Sequence, residues 1–338
     1  MSADVVPLRP KGGPPSLDPM LSLTASGMNS VNAVILERMQ SKIPLIPALA
    51  GHLISGGGKR LRPMLTIAGA ELCGYEGSRH HKLAAAVEFI HTATLLHDDV
   101  VDGSELRRGK EAANIVFGNP ATVLVGDFLF SRAFELMVED GSLKVLKILS
   151  SASAVIAEGE VDQLVAQREI ETSEERYLSI IGAKTAALFA AATRIAAVVA
   201  ERSEAEERAL DEYGRNLGIA FQLVDDAIDY DSEAAESGKG RGDDFREGKM
   251  TLPVILAYAR GTPDERKFWE DAIAGFCTED EDLARAVELI NRHDAVSATR
   301  ERARHFAQRA IDAIAGFPAG AARSAMAQAA EFAVARRY

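Results

Sequence analysis

The sequence predicts an all-α protein: a single large helical bundle of about a dozen helices around a deep central cavity. Three observations carry this expectation. Between Pro63 and Pro253 there is a single proline, Pro120, and proline is the residue that breaks helix interiors. Apolar residues such as Leu83, Val87 and Ile90, with Thr94 and Val101, recur at intervals of three and four rather than two. Val, Ile and Thr never alternate in runs bounded by hairpin turns, and alanine dominates many segments while aromatics make up only 6%.

In chain order, residues 1–28 hold five of the twelve prolines (Pro7, Pro10, Pro14, Pro15 and Pro19) together with several glycines. They read as a flexible N-terminal segment, which leaves 29–338 as the folded unit. Pro44, Pro47 and Pro63 punctuate the next stretch. Helical spacing then runs through the segment around Leu83–Val101 and through 120–139, 142–168, 175–200 and 204–231. Polar breaks such as Asp140-Gly141-Ser142 separate these segments. No repeat and no shift of composition divides 29–338, so it reads as one domain.

Composition narrows the function classes. The 338 residues are 47% apolar, ample for a core. A net charge of −12 and a pI near 5.2 lack the basic footprint of a nucleic-acid binder, although a local basic pocket for phosphates is compatible with them. The two cysteines, Cys73 and Cys277, are far apart and read as reduced thiols. No signal-peptide core opens the chain. The most apolar stretch, Ala186–Ala200, follows Lys184 and contains Arg194, and reads as too short and too charged to span a bilayer. The expectation is a cytoplasmic protein without a transmembrane segment.

Two aspartate clusters stand out. In His91-Thr-Ala-Thr-Leu-Leu-His97-Asp98-Asp99-Val-Val-Asp102, Asp98 and Asp102 lie one turn apart on one helix face, shared with His91 and Leu95. Stacked carboxylates repel, and a cation removes the conflict. In Phe221-Gln222-Leu-Val-Asp225-Asp226-Ala-Ile-Asp229, Gln222, Asp225, Asp226 and Asp229 form a second polar face. Oxygen donors without Cys or paired His indicate Mg²⁺, which completes its shell with waters and substrate phosphates. A lone cluster of this kind is more often a solvated acidic face; the pairing of two carries the signal.

Basic groups near the clusters call for a phosphate partner. Gly56-Gly57-Gly58-Lys59-Arg60-Leu61-Arg62-Pro63 places cations after a glycine run but lacks the spacing of a P-loop. Arg107 and Arg108 follow the first cluster, and Lys184-Thr185 lies between the two. The glycine-rich charged stretch Gly238–Pro253 reads as a loop able to close over a ligand.

At these residues the chain resembles the trans-polyprenyl diphosphate synthases, in particular the bacterial long-chain enzymes that make octaprenyl-to-decaprenyl side chains for quinones. The resemblance runs from about residue 29 to the C-terminus. It rests on GGGKRLRP (56–63), HTATLLHDDVVDGSELRRG (91–109), GNPATVLVGDFLFSRAF (118–134), EGEVDQL (158–164), KT (184–185), FQLVDDAIDY (221–230) and GDDFREGKMTLP (242–253).

The resemblance implies that Lys59, Arg62, His91 and Arg108 bind isopentenyl diphosphate. Asp98, Asp102 and Asp225 would be the principal Mg²⁺ ligands, supported by Asp99, Asp226 and Asp229, with about three ions per site. Arg107, Lys184, Gln222, Lys239 and Lys249 would hold the allylic diphosphate, with Thr185 lining the reacting carbon. One departure is visible: Gly238-Lys239-Gly240 stands where relatives commonly have Gly-Lys-Pro.

The implied reaction ionises the allylic C–O bond while Mg²⁺ neutralises the leaving diphosphate. The cation would lie near Lys184, Thr185 and Gln222; the double bond of isopentenyl diphosphate attacks it, and a proton leaves to the diphosphate. Asp98, Asp102, Asp225, Lys184, Thr185 and Gln222 would carry this chemistry, while His97 is structural. The family also implies a homodimer and a primer such as farnesyl diphosphate.

Product length is expected to depend on the residues one turn upstream of Asp98. Short-chain relatives place a bulky aromatic there, and this chain has Ala93 and Thr94. Helical geometry favours Thr94, about 40° from Asp98 around the axis, whereas the family points to Ala93. Small residues imply an open tunnel, whose floor would involve Phe128, Phe134 or Met137. A basic tail, Arg336-Arg337-Tyr338, could reach the site. A shorter-chain farnesyl or geranylgeranyl diphosphate synthase and a class I terpene cyclase remain alternatives. The cyclase would not need Lys59, Arg62 and Arg108, and a non-catalytic subunit would have lost aspartates that are all present here.

Overall fold

Proline starts the first helix of this chain rather than preventing it. Helix α1 spans Asp18–Arg38 with Pro19 in its first turn, where the missing N–H would have had no partner anyway. Met20, Thr24, Val31 and Ile35 form its buried face. The expectation of a flexible segment to residue 28 is therefore corrected: among the described residues, Leu17 and the helix from Asp18 are already packed. The structure, a computed structural model, describes residues 15–55, 58–107, 109–231, 242–275 and 279–336.

The all-α prediction holds. After α1 come α2 (Leu45–Ser55), α3 (Leu61–Leu72), α4 (Arg79–Val101), α5 (Ala113–Phe117), α6 (Asn119–Asp140), α7 (Leu143–Ala166), α8 (Glu174–Ile181), α9 (Ala187–Val199) and α10 (Glu204–Asp229). The C-terminal part adds α11 (Asp243–Arg246), α12 (Leu252–Arg260), α13 (Pro263–Trp269), α14 (Asp280–Arg292), α15 (Ala295–Ala313) and α16 (Ala321–Ala335). Two-residue strands β1 (Leu106–Arg107) and β2 (Lys110–Glu111) pair antiparallel just after α4. Side-chain caps fix several starts: Ser142 accepts from the Val145 amide, and Ser203 with Glu206 and Thr262 with Glu265 close reciprocal capping boxes.

Three apolar clusters hold the bundle. The first joins α4 to α6, α7 and α9, and includes Val87, Ile90, Leu129 and Leu188. The second lies under α10, α12 and α14 around the fully buried Trp269. The third packs α3, α10 and α16 together. Residues 174–199 form one helical run through a π-helical turn at Gly182–Ala186. This corrects the expectation that the apolar stretch is too short to span a bilayer, because the run has 26 residues. Yet 78% of its most apolar window is buried inside the protein, so it serves here as a core helix.

Near the start of α4, His80 is buried with its ring 4.0 Å from that of His81, and Tyr75 packs edge-on at 5.5 Å. Burial, with His81 beside it, pushes the His80 imidazole down to about 4 from 6.5. The folded state thus keeps this group neutral, so the unfolded chain takes up the proton first as pH falls. Stability from this site is whole above about 6.5 and is lost progressively toward about 4. We predict that His80→Gln loses less stability than the unaltered protein between pH 7 and pH 5, measured by urea denaturation.

Candidate active site

Both aspartate clusters fall at the C-terminal ends of long helices. Asp98 and Asp99 lie in the last turn of α4 and Asp102 is its C-cap; Asp225, Asp226 and Asp229 close α10. Helix C-termini carry partial negative charge from unpaired carbonyls, so carboxylates there are doubly disfavoured. Neither last turn contains a basic residue. The compensating cations come from elsewhere in the chain.

Lys184, in the π-helical turn, places its Nζ 3.8 Å from Asp98 and donates to Glu160 at 2.6 Å and Gln163 at 2.8 Å. Lys249 donates to Asp102 at 3.1 Å and also pairs with Glu247. Arg336 lies 3.0 Å from Asp225 and stacks on the Phe221 ring, 3.9 Å from its centroid. Arg107 binds Asp99, whose carboxylate is fully buried, at 2.5–2.7 Å. Asp99 is thus engaged on a different face of α4 from Asp98 and Asp102, as a 100° step per residue requires.

Electrostatics reflect the crowding. Burial raises the Asp98 carboxyl against the opposing pull of Lys184, and burial likewise raises Glu160 and Glu247. Asp226 and Asp229 are pushed up to about 8, first by burial and then by repulsion from Asp244. Burial alone would lower the Lys249 ammonium, but Asp244, Asp102 and Glu247 outweigh it and push it up. The resident cations do not relieve these carboxylates of their excess proton affinity.

That is the condition a divalent cation would satisfy, and an all-oxygen donor set suits Mg²⁺. Among the described residues no three His, Cys, Asp or Glu side chains converge into a ready-made cage. A Mg²⁺ ion held by one or two carboxylates, with waters and phosphate oxygens completing its shell, fits that arrangement.

Close backbone approach brings Lys184 into place. A Cβ on Gly159 of α7 would lie 2.7 Å from the Ala183 Cβ and 2.9 Å from the Lys184 backbone nitrogen. On the other side, a Cβ on Gly218 of α10 would come within 2.6 Å of the Ala186 Cα. The π-helical turn is therefore gripped between two glycines, one on each neighbouring helix. Its wider i→i+5 bonding departs from the uninterrupted helix expected over 175–200, and such single turns often mark functional positions. Lys184 and Thr185 both line one cavity as a result.

Thr185 donates from its hydroxyl to Gln222 Oε1 at 2.9 Å, and Gln222 Nε2 donates to Asp226 at 2.7 Å. Tyr177 closes the far end, donating to the other Asp226 oxygen at 2.5 Å. Asp229 accepts from the Asp244 backbone amide at 3.3 Å. The stretch bearing Asp244 and Lys249 is tied to the end of α7: the Arg168 amide donates to the Gly248 carbonyl at 3.0 Å, and Gln167 donates to the Glu247 carbonyl.

Two cavities adjoin here and share Gln163, Gln167 and Lys249. The smaller, about 100 Å³, lies against Lys184, Thr185, Gln222 and Asp226. The larger, about 270 Å³, begins at Asp98, Asp102 and Glu160 and runs past Thr94 to Phe130 and Ile156. Thr94 lines it, whereas Ala93 is fully buried among core side chains. The suggested floor residues do not line it: Met137 is buried in the core, Phe128 stacks under Arg132, and Phe134 is 41% exposed. Their helix supplies Phe130 instead, which is two residues round from Phe128 and so on a different face.

Beside the second cluster, Arg62 donates to His91 Nε2 at 3.0 Å and stacks over Phe189 at 4.3 Å, and the Phe189 ring lies 5.7 Å from that of Phe221, which carries Arg336. The Arg62 donation makes His91 Nε2 an acceptor and places its proton on Nδ1. Lys59 sits over the Phe332 ring at 4.8 Å, and burial, then Arg336, lowers its ammonium. Arg108 and Lys239 lie outside the described residues, as do Arg337 and Tyr338 of the basic tail. His97 donates from Nε2 to the Val123 carbonyl at 3.2 Å.

Comparison with known proteins decides the family. The model of the polyprenyl synthetase family matches residues 43–290. The chain belongs to the polyprenyl synthetase family. It is 46% identical to the octaprenyl diphosphate synthase of Escherichia coli K12, covering 95% of this chain and 99% of that one. Among solved structures it is similar to a polyprenyl synthase from Caulobacter crescentus complexed with calcium and isoprenyl diphosphate. That match has a TM-score of 0.93 and 54% identity, and covers 97% of this chain and 100% of the other. A decaprenyl diphosphate synthase from Rhodobacter capsulatus matches with a TM-score of 0.91 and 49% identity over 94% and 98% of the chains.

In this polyprenyl synthetase, several site residues had no assigned role from sequence. Glu160 and Gln163 sit three apart on α7 in the quoted EGEVDQL motif, and that spacing was the available signal. Tyr177 gave none, being 49 residues from Asp226. Gly159 yields a test of the gripped turn. Gly159→Val is expected to cost about 1–3 kcal/mol in urea denaturation, because the new Cβ meets the Ala183 Cβ and the Lys184 backbone nitrogen, and more than Gly159→Ala, because two further methyl groups must fit the same space. Prenyl transfer by the folded Val variant should fall with the displacement of Lys184.

Proposed function

We propose that this site condenses isopentenyl diphosphate with an allylic diphosphate, repeatedly, so that the chain acts as a long-chain trans-polyprenyl diphosphate synthase. The observation that carries the reading is the joining of two acidic helix ends through Lys184, Thr185 and Lys249, next to a cavity that turns apolar beyond Thr94. Identity of 46–54% to long-chain and polyprenyl synthases over nearly the whole chain supports it. The shorter-chain and cyclase readings have less support.

In this reading Asp98, Asp102, Asp225 and Asp229 are the residues that would hold Mg²⁺. When bound, Mg²⁺ supplies the positive charge that neutralises the departing diphosphate. Lys184, Lys249 and Arg107 hold the allylic diphosphate, with Lys239 from the adjoining stretch. The pairing of Lys184 with Asp98 and of Lys249 with Asp102 supports this, while Arg107 is held on the buried Asp99. The Gln222 carbonyl and Thr185 hydroxyl supply fixed dipoles beside the carbon that becomes cationic, where water is scarce. Lys59, Arg62, His91 and Arg108 bind isopentenyl diphosphate. The growing chain enters the cavity past Thr94.

The product fits a quinone side chain, made in a reducing cytoplasm in keeping with the free, buried Cys73. The working form is a homodimer. Apolar side chains on α6 and α7, including Leu124 (66% exposed), Val138, Leu143 (82%), Val161 and Val165, leave an uncovered face too apolar for an isolated subunit. A second copy would cover it and finish the wall of the larger cavity, where Val161 and Leu164 stand exposed.

The reading is tested by incubating the protein with farnesyl diphosphate, isopentenyl diphosphate and Mg²⁺ and sizing the product by chromatography; an octaprenyl-to-decaprenyl product is expected, and no elongation overturns it. Asp98→Ala should lower turnover by at least about a hundredfold. Tyrosine at position 94 should shorten the product while turnover continues, with a smaller effect from position 93, which lines no cavity. Leu124→Glu should convert the dimer to monomer in light scattering.

A further inference from the structure

Asp226 is the odd member of the second cluster. It is buried, and both of its carboxylate oxygens are taken by protein donors, Gln222 Nε2 at 2.7 Å on one and the Tyr177 hydroxyl at 2.5 Å on the other. Tyr177 itself is buried on α8, within the core cluster under α10. Its buried hydroxyl is directed at Asp226.

What Asp226 holds is an amide. A Gln side chain presents an oxygen on one side and an NH₂ group on the other, and its orientation follows from its partners. Because the Tyr177 hydroxyl donates to one Asp226 oxygen, the other is left to accept from Gln222 Nε2, 2.7 Å away, and Gln222 Oε1 then faces the Thr185 hydroxyl, 2.9 Å away. We infer that Tyr177 is a positioning residue: through Asp226 it locks the Gln222 amide so that its carbonyl, with Thr185, faces the carbon undergoing ionisation. A flipped amide would aim N–H groups, with positive ends outward, at a developing cation, so the lock matters most in the transition state. This rests on the prenyl-transfer reading of the site.

Tyr177→Phe keeps the ring and deletes the donor. It should lower kcat roughly tenfold, the worth of one hydrogen bond to a charged group. The KM for isopentenyl diphosphate and the Mg²⁺ concentration for half activity should stay within about twofold, because the relay touches neither. The decisive readout is a double-mutant cycle: in a Gln222→Leu background the same change should cost no further turnover.

Unchanged kcat in Tyr177→Phe, or losses that multiply in the double variant, would overturn the relay, as would a shifted Mg²⁺ requirement. Should Tyr177→Phe fail to fold, as judged by thermal unfolding, 4-aminophenylalanine at 177 keeps ring and donor while weakening the bond. The same loss, again absent with Gln222→Leu, is then expected, and its additivity would reject the proposal. Failure of the unaltered protein to elongate any primer would instead reject the prenyl-transfer reading, so the two failures are distinct.

Discussion

Carboxylates crowded onto the negative ends of two helices are the constraint around which the rest of this molecule is arranged. Asp98 and Asp102 end α4, and Asp225 and Asp229 end α10, against both mutual repulsion and the helix dipole. Neither helix can supply its own counter-charge in that last turn. Lys184, Lys249, Arg107 and Arg336 have to be delivered from four other parts of the chain. The irregular features of the fold are the means of delivery. The π-helical turn carries Lys184, and Gly159 and Gly218 let it press between α7 and α10. Gly248, with φ +72°, and Arg168, with φ +66°, shape the turn and hook that present Lys249.

Much of this was legible in the sequence because it depended on local spacing. The long helices followed from a proline-poor stretch with three-and-four periodicity, and α6, α7 and α10 begin and end within a few residues of the expected limits. The same periodicity separated Asp98 and Asp102 from Asp99, whose side chain turns inward to Arg107. What could not be read were features without a local signature. A π-helical turn has the composition of the helix it interrupts. Pro19 belongs equally to a flexible leader and to a helix start, and only the burial of Met20 and Thr24 decides between them. Tyr177 meets Asp226 because α8 packs beside α10, a tertiary fact with no trace in either segment.

Thr94 and Ala93 differ in where the helix points them. Two candidates stood one turn upstream of Asp98, and rotation about the axis favoured Thr94 over Ala93. The structure places Thr94 on the cavity, its hydroxyl turned back to the His91 carbonyl at 2.8 Å, and buries Ala93 between helices. The Thr94 hydroxyl is thus engaged by its own helix.

That arrangement explains how one cavity can be ionic at one end and apolar at the other without an abrupt interface. Along α4 the lining runs from Asp102 and Asp98 back to Thr94, and along α7 from Gln167 and Glu160 back to Ile156 and Ser153. In both helices the carboxylates of the lining lie toward the C-terminus, where exposed carbonyls already favour cations, beside apolar Val101, Val161 and Leu164, and further inside the lining carries no carboxylate. The polarity of the site is thus aligned with the polarity of the helices that build it. Thr94 and Asp98 line the cavity one turn apart on a single face of α4, so a change of side chain at position 94 alters the space there without touching the carboxylates.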